Sequence, residues 1–152
     1  MDVDDATSFI KEKWRMLENS EKLLFKDFIQ KNWRAKNIDY LNDPGVYVVY
    51  EGDIAVYVGS AGKGKHFIRY RIGDLFGYRP RAKKPFYHTL TMKLLKERNG
   101  SEDLSNVSRL VDDARGHLMK TCSFKVIRTD NVRQARMLEY VFILLLNPRY
   151  ND

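Results

Sequence analysis

The chain has 152 residues, of which 43% are hydrophobic, and a formal net charge of +7 at pH 7. This size predicts one compact domain, and a single cysteine, Cys122, excludes an intramolecular disulfide and a zinc site built from several cysteines. Apolar runs are too short for a transmembrane helix and the acidic N-terminus does not fit a secretory signal, so we expect a cytoplasmic protein with no membrane partner.

The positive charge is concentrated in one part of the chain. Residues 1–44 carry 8 Lys and Arg against 9 Asp and Glu, whereas residues 45–152 carry 19 against 11. A basic excess fits a polyanionic partner, because Lys and Arg that neutralise phosphates release counterions. An acidic protein partner would also fit this charge, but no other feature of the sequence supports it.

Two amphipathic segments open the chain. Residues 5–18 and 20–35 place large apolar side chains near helical spacing, which predicts two helices. Such stripes more often pack on a domain than contact DNA. We therefore expect a helical N-terminal extension, residues 1–43, packed on a domain of residues 44–152.

The remaining elements predict a small sheet with helices around it. Strands are expected at 45–50, 54–58 and 123–128, and helices at 65–76, 86–98, 107–119 and 134–146. Residues 51–53 form the hairpin turn, and Asp130 or Asn131 caps the last helix. This order predicts an α+β domain with a mainly antiparallel three-stranded sheet flanked by helices.

Four motifs follow one another between residues 45 and 151. The predicted hairpin holds two tripeptides, Gly45-Val46-Tyr47 and Tyr57-Val58-Gly59, whose tyrosines can face each other across neighbouring strands. Arg71 lies in the next predicted helix, and Glu139 lies in the final apolar helix. The sequence Asn-Pro-Arg-Tyr-Asn occupies residues 147–151. This arrangement resembles the GIY-YIG nuclease superfamily, whose name spells the two tripeptides.

The resemblance implies a metal-dependent endonuclease that hydrolyses phosphodiester bonds in DNA with Mg²⁺ or Mn²⁺ as its cofactor. It gives Tyr47 the role of general base and makes Tyr57 a neighbour that positions water or phosphate, and the residues alone leave open which of the two tyrosines is the base. Glu139 would be the metal ligand, because a carboxylate in an apolar helix needs a partner and hard cations prefer oxygen. An ion pair with Arg136 is the alternative for this glutamate.

The resemblance also assigns an arginine and an asparagine. Arg71 would clamp the scissile phosphate with its planar guanidinium, and Arg69 is the alternative, because an insertion after Gly59 blurs the alignment. Asn151 would orient groups around the metal or the phosphate.

The sequence departs from the family at one position. Many members carry His or Tyr one helical turn beyond the arginine, where this chain has Leu75. Histidines titrate near neutrality and suit proton transfer, so His66 and His88 are alternative donors to the leaving group.

A basic, glycine-containing segment adjoins these motifs. Residues 59–66 nearly match a phosphate-binding P-loop, but His66 stands where that loop needs Ser or Thr. A cradle for a DNA phosphate is the better interpretation. The residues predicted to bind nucleic acid are Lys63, Lys65, Arg69, Arg79, Arg81, Lys83 and Lys84. Two alternatives to a nuclease remain: an inactive nucleic-acid-binding module of the same fold and a P-loop-type nucleotide-binding protein.

Overall fold

The computed structural model describes residues 1–26, 42–62, 71, 90, 93, 94, 96, 97 and 107–151, without the side chains of residues 107–111. This part of the chain contains three full helices and a four-stranded sheet. The elements are α1 (Val3–Asn19), β1 (Leu23–Leu24), β2 (Gly45–Glu51), β3 (Ile54–Ala61), α2 (Val107–Thr121), β4 (Cys122–Arg128) and α3 (Val132–Leu146). Arg71 and the described positions between 90 and 97 are also helical.

The predicted α+β class with a small antiparallel sheet is confirmed, but the sheet has four strands and not the predicted three, because β1 adds to it. The strands lie in the order β1-β4-β2-β3, and every neighbouring pair is antiparallel. The hairpin of β2 and β3 turns through Gly52 and Asp53, and Gly52 has a φ of 61°, a conformation that glycine adopts at low cost. Asn131, one of the two expected caps, accepts a hydrogen bond from the backbone N–H of Gln134 at the start of α3.

The prediction of one helix over residues 20–35 is wrong at its start. Leu23 and Leu24 form β1, which pairs with Phe124 and Ser123 of β4. Phe25 is fully buried, whereas Leu24, which belongs to the predicted apolar stripe, is 41% exposed. Residues 27–35 of this prediction lie outside the described residues, as do most of the predicted helices 65–76 and 86–98.

One face of the sheet packs against α1 and α3. Its buried side chains are Leu17, Val46, Val48, Tyr50, Ala55, Val58, Ile127, Leu138 and Phe142. Trp14 of α1 meets Phe142 of α3 edge to face, with ring centroids 5.7 Å apart. Lys125 of β4 donates to the carbonyl of Leu17 over 2.7 Å and so binds the C-terminal end of α1. The N-terminal helix therefore packs on the sheet, while a domain boundary at residue 43 stays a prediction.

The opposite face carries a second core, which surrounds the tyrosines of the hairpin. Its buried members include Phe25, Tyr47, Val49, Leu90, Leu118, Cys122 and Phe124. Side chains of a strand alternate between faces, so Tyr47, Val49 and Glu51 all point to this side of β2. The tyrosine motif and the end of the hairpin therefore share one face of the sheet.

The segment after α3 covers the outer edge of β3. Asn147 ends the helix in the left-handed conformation, with a φ of 45°. The chain then runs beside β3, where the Tyr150 N–H donates to the carbonyl of Val56 over 2.9 Å. Val56 is the extra residue of a β-bulge, because Val49 pairs with Tyr57 and Tyr50 pairs with Ala55. The last described residues thus continue the hydrogen bonding of the sheet.

Among the helices of the described ranges, none has both the length and the apolar character needed to cross a bilayer.

Candidate functional site

Two tyrosines form the centre of the site. Tyr47 of β2 pairs with Gly59, two residues beyond Tyr57 on β3, so the register places both rings on one face. Their centroids are 6.2 Å apart. The hydrogen bond between the two hydroxyls raises the pKa of Tyr47 and lowers that of Tyr57, which is the pattern of Tyr47 as donor and Tyr57 as acceptor.

Gly59 makes room for the ring of Tyr47. A Cβ built on Gly59 would lie 2.9 Å from Cε1 of Tyr47 and closer still to its Cζ and hydroxyl oxygen. The backbone of Gly59 has no positive φ, so glycine is needed here for space and not for backbone conformation. The two tripeptides therefore depend on each other: the glycine of the second accommodates the tyrosine of the first.

Glu139 approaches the site from α3. It is half-buried, and its Oε2 accepts a hydrogen bond from the hydroxyl of Ser60 on β3. Helix α3 packs on β3 through its apolar face, and this packing directs the carboxylate toward the strand that carries Tyr57.

The charges around the tyrosines oppose one another. Burial raises the pKa of Tyr47 well above its usual value, Tyr57 and Glu139 raise it further, and the Arg71 guanidinium lowers it. Tyr57 is half-exposed. Its pKa is raised mainly by burial and also by the charge of Glu139, whereas the hydrogen bond from Tyr47 and the charge of Arg71 lower it. Of the two phenols, Tyr57 therefore has the better access to water and a donor that stabilises its ionised form.

The side chain of Asn151 bonds the backbone of β3, whereas the sequence suggested that it orients groups around a metal or a phosphate. Its Oδ1 accepts from the N–H of Val58 over 2.7 Å, and its Nδ2 donates to the carbonyl of Val58 over 2.9 Å. Both ends of the side-chain amide are thus bonded to the residue between Tyr57 and Gly59. The arrangement anchors the C-terminal segment on β3 and positions the second tripeptide; a direct role at a metal or phosphate stays a prediction.

The residues near Glu139 fit a hard divalent cation. The side chains are a carboxylate with one oxygen held by Ser60, and hydroxyl groups from Ser60 and Tyr57. Mg²⁺ takes oxygen ligands, uses one or two carboxylates and keeps several waters. A single half-buried glutamate with polar neighbours therefore suits Mg²⁺ or Mn²⁺ better than a metal that prefers nitrogen or sulfur.

The structure brings together Tyr47, Tyr57, Arg71, Glu139 and, through β3, Asn151. The other predicted residues lie outside the described part: His66, His88, Lys63, Lys65, Arg69, Arg79, Arg81, Lys83 and Lys84. Two contributors were not predicted, Ser60 as the donor to Glu139 and Gly59 as the space for Tyr47. Alternation along β3 could have indicated that Ser60 faces the same side as Val58, toward the final helix.

No family model and no curated protein matches this sequence. Among solved structures, the chain is similar to the GIY-YIG N-terminal endonuclease domain of UvrC from Thermotoga maritima bound to its catalytic divalent cation, magnesium. The identity is 20%, the alignment covers 80% of this chain and 98% of that domain, and the TM-score is 0.43. A Tyr-to-Phe point mutant of that domain aligns over 75% and 91% with a TM-score of 0.41. An Asn-to-Ala point mutant aligns over 80% and 97% with a TM-score of 0.43, again at 20% identity.

Proposed function

We propose that this protein is a divalent-metal-dependent endonuclease that hydrolyses phosphodiester bonds in DNA. One observation carries the proposal: four side chains from three separate segments meet in one electrostatically coupled cluster. Tyr47 and Tyr57 come from the hairpin, Arg71 from the following helical position, and Glu139 from the last helix. These side chains supply a proton acceptor, a phosphate clamp and a metal ligand, which are the groups that phosphodiester hydrolysis needs.

Glu139 is the proposed ligand for Mg²⁺ or Mn²⁺. A cation bound at this carboxylate would act as a Lewis acid toward the phosphodiester and offset the negative charge that develops on it. Ser60 holds one oxygen of Glu139 and so fixes the direction in which the carboxylate points. Fixing a ligand in this way contributes to affinity, because fewer side-chain rotamers are lost on binding.

Tyr57 is the proposed proton acceptor for the attacking water. The family resemblance gave this role to Tyr47, but Tyr47 is only 1% exposed, whereas Tyr57 is half-exposed and accepts the hydrogen bond of Tyr47. A phenolate at Tyr57 would be stabilised by that hydrogen bond and by Arg71. Arg71 would also bind the phosphate, since its guanidinium presents several donors to phosphoryl oxygens.

DNA is the proposed substrate because the basic excess lies in the part of the chain that carries the motifs. A P-loop protein would need a parallel sheet with alternating strands and helices, whereas β1 to β4 are all antiparallel. An inactive DNA-binding module would keep the same fold and charge without cleaving. The cleavage assay distinguishes this last alternative from the proposal.

The test is incubation of the purified protein with supercoiled plasmid, branched DNA and single-stranded DNA, with Mg²⁺, Mn²⁺ or EDTA. We expect nicked or linear products with either metal and none with EDTA. Glu139→Gln serves as the catalytic variant, because glutamine can still accept the hydrogen bond of Ser60 but carries no charge. Binding to all three DNAs without cleavage, in wild type and variant alike, would support the inactive module instead.

A further inference from the structure

A second cluster of ligand side chains lies on the sheet face that carries the tyrosines, at the turn end of the hairpin. Among the described residues, Glu51, His117 and Cys122 each place one ligand atom within 4.8 Å of the other two. Glu51 is the last residue of β2, four residues beyond Tyr47, which corresponds to about 13 Å along a strand. This cluster is therefore separate from the tyrosine site.

The fold brings these three residues together through local geometry. Glu51 and Cys122 are direct cross-strand partners in the pairing of β2 with β4, so their side chains share a face. Helix α2 runs into β4 without a connecting loop, because Thr121 ends the helix and Cys122 begins the strand. His117 lies one helical turn before that junction, and its Nε2 is 3.5 Å from Oε2 of Glu51.

A neighbouring threonine orients the histidine ring. The hydroxyl of Thr121 donates to the carbonyl of His117 over 2.7 Å, and its oxygen lies 3.2 Å from Nδ1 and 3.3 Å from Nε2 of the ring. Because the hydroxyl hydrogen is already used, the threonine oxygen can only accept from the ring. A neutral ring that donates from one nitrogen keeps a lone pair on the other, which is the form that binds metals.

We propose that Glu51, His117 and Cys122 bind Zn²⁺, with a water molecule as the fourth ligand of the tetrahedron. Zinc accepts sulfur, nitrogen and carboxylate oxygen together, at bond lengths that place neighbouring ligand atoms about 3.3–3.6 Å apart in a tetrahedron. The Glu51–His117 pair already has this spacing, and side-chain rotation closes the rest. A thiol and an imidazole select zinc over Mg²⁺, which takes oxygen ligands.

Burial raises the pKa of the Cys122 thiol to about 11, and the charge of Glu51 adds to this rise. The thiol is therefore protonated at neutral pH, and zinc binding releases its proton to solvent as the sulfur–metal bond forms. The bound ion would connect the end of β2, the end of α2 and the start of β4. Binding to the folded state alone stabilises that state.

The test uses Co²⁺ as a spectroscopic probe on the full chain. We expect Co²⁺ to produce a near-ultraviolet sulfur-to-metal charge-transfer band, which Zn²⁺ abolishes by displacement. The band should be lost in Cys122→Ser, and His117→Ala and Glu51→Gln should each weaken the affinity at least about tenfold. Circular dichroism of the metal-free variants checks that they are folded. Glu139→Gln should leave the band unchanged, so the result does not depend on the proposed nuclease activity.

A thermal measurement provides the second readout. Zn²⁺ at one hundred times its dissociation constant should raise the unfolding midpoint of the wild type by about 5–10 °C and leave that of Cys122→Ser unchanged. Absence of the charge-transfer band in the wild type would overturn the proposal. Equal affinity in the wild type, His117→Ala and Glu51→Gln would overturn it as well, because the cysteine would then bind the ion without the cluster.

Discussion

The two ends of the β2–β3 hairpin offer opposite kinds of ligand. At the hairpin's open end, Glu139 and Ser60 present oxygen beside the two tyrosines. At the turn end, Glu51 lies beside the nitrogen of His117 and the sulfur of Cys122. The first set suits a hard cation that exchanges its waters for a substrate, and the second suits a softer ion that stays bound. A glutamate is present at both ends, so its neighbours decide which metal and which task it serves.

The strongest test of this comparison exchanges each glutamate for glutamine. Glu139→Gln should slow DNA cleavage at least about a hundredfold, a loss of roughly 2.7 kcal/mol in transition-state stabilisation, because the cation loses its carboxylate. DNA affinity in low salt should stay near the wild-type value, since it comes from distributed basic residues. Single-turnover cleavage and filter binding measure the two quantities.

Glu51→Gln is the matched control for that experiment. It removes the same charge at the turn end of the hairpin, four residues and about 13 Å along β2 from Tyr47, and should leave the cleavage rate within about twofold of the wild type while weakening Zn²⁺ binding. Similar cleavage by Glu139→Gln and wild type would show that Glu139 is structural.

Substitutions of the two tyrosines test which of them is the proton acceptor in the site beside Glu139 and Ser60. Tyr57→Phe should reduce cleavage by about a hundredfold at all pH values, because general-base catalysis contributes about that much. Tyr47→Phe should act differently. The hydrogen bond from Tyr47 lowers the pKa of Tyr57, so its removal raises that pKa and moves the rise of kcat/KM to higher pH.

Full pH–rate profiles of the two variants measure this difference. Recovery of activity at high pH by Tyr47→Phe, but not by Tyr57→Phe, identifies Tyr57 as the proton acceptor. Recovery by Tyr57→Phe alone would return that role to Tyr47.

A smaller effect, on stability, is expected from filling the space that Gly59 leaves for the Tyr47 ring. Gly59→Ala places a methyl group against the Tyr47 ring and should lower the free energy of unfolding by about 1–3 kcal/mol. Gly116→Ala in α2 is the matched control, because nothing lies within 4 Å of the added Cβ. Alanine favours the helix there and should raise stability by about 0.5–1 kcal/mol. Chemical denaturation of both variants measures the opposite signs; a loss in both would remove the steric explanation.

The smallest predicted effect concerns the segment that covers β3. Asn151→Ala removes two hydrogen bonds to Val58 and should cost about 1–2 kcal/mol of stability. Arg149→Ala removes an exposed ion pair with Glu97 and the contact of the guanidinium with the Tyr150 ring, and should cost less than about 1 kcal/mol. Urea unfolding ranks the two variants, and an equal cost would show that the amide contacts with Val58 add nothing beyond the surface ion pair.

Elements with a strong local pattern could be predicted from sequence. The hairpin, the last strand and the last helix follow from alternation, β-branched residues and a capping asparagine, all of which act over a few neighbouring residues. Strand β1 could not be predicted in this way. It has two residues, and it is a strand because β4, about a hundred positions later, pairs with it.

The site shows the same division between local and distant causes. Tyr47, Tyr57 and Glu139 belong to motifs that are legible in the sequence. Three other features depend on strand register and helix packing. They are the contact of Ser60 with Glu139, the two hydrogen bonds of Asn151 to Val58, and the cluster of Glu51, His117 and Cys122. No local pattern specifies these distances, so they require the folded structure.

The segment after α3 also affects how the sheet meets other molecules. A bare outer strand offers a row of backbone donors and acceptors to which a strand of another chain can add, and this is a common start of aggregation. On β3, Tyr150 and Asn151 already occupy the groups of Val56 and Val58. The opposite border, β1, is only two residues long and gives a short template. The β3 border of the sheet therefore resists the addition of a foreign strand, which favours a protein that stays dispersed at high concentration.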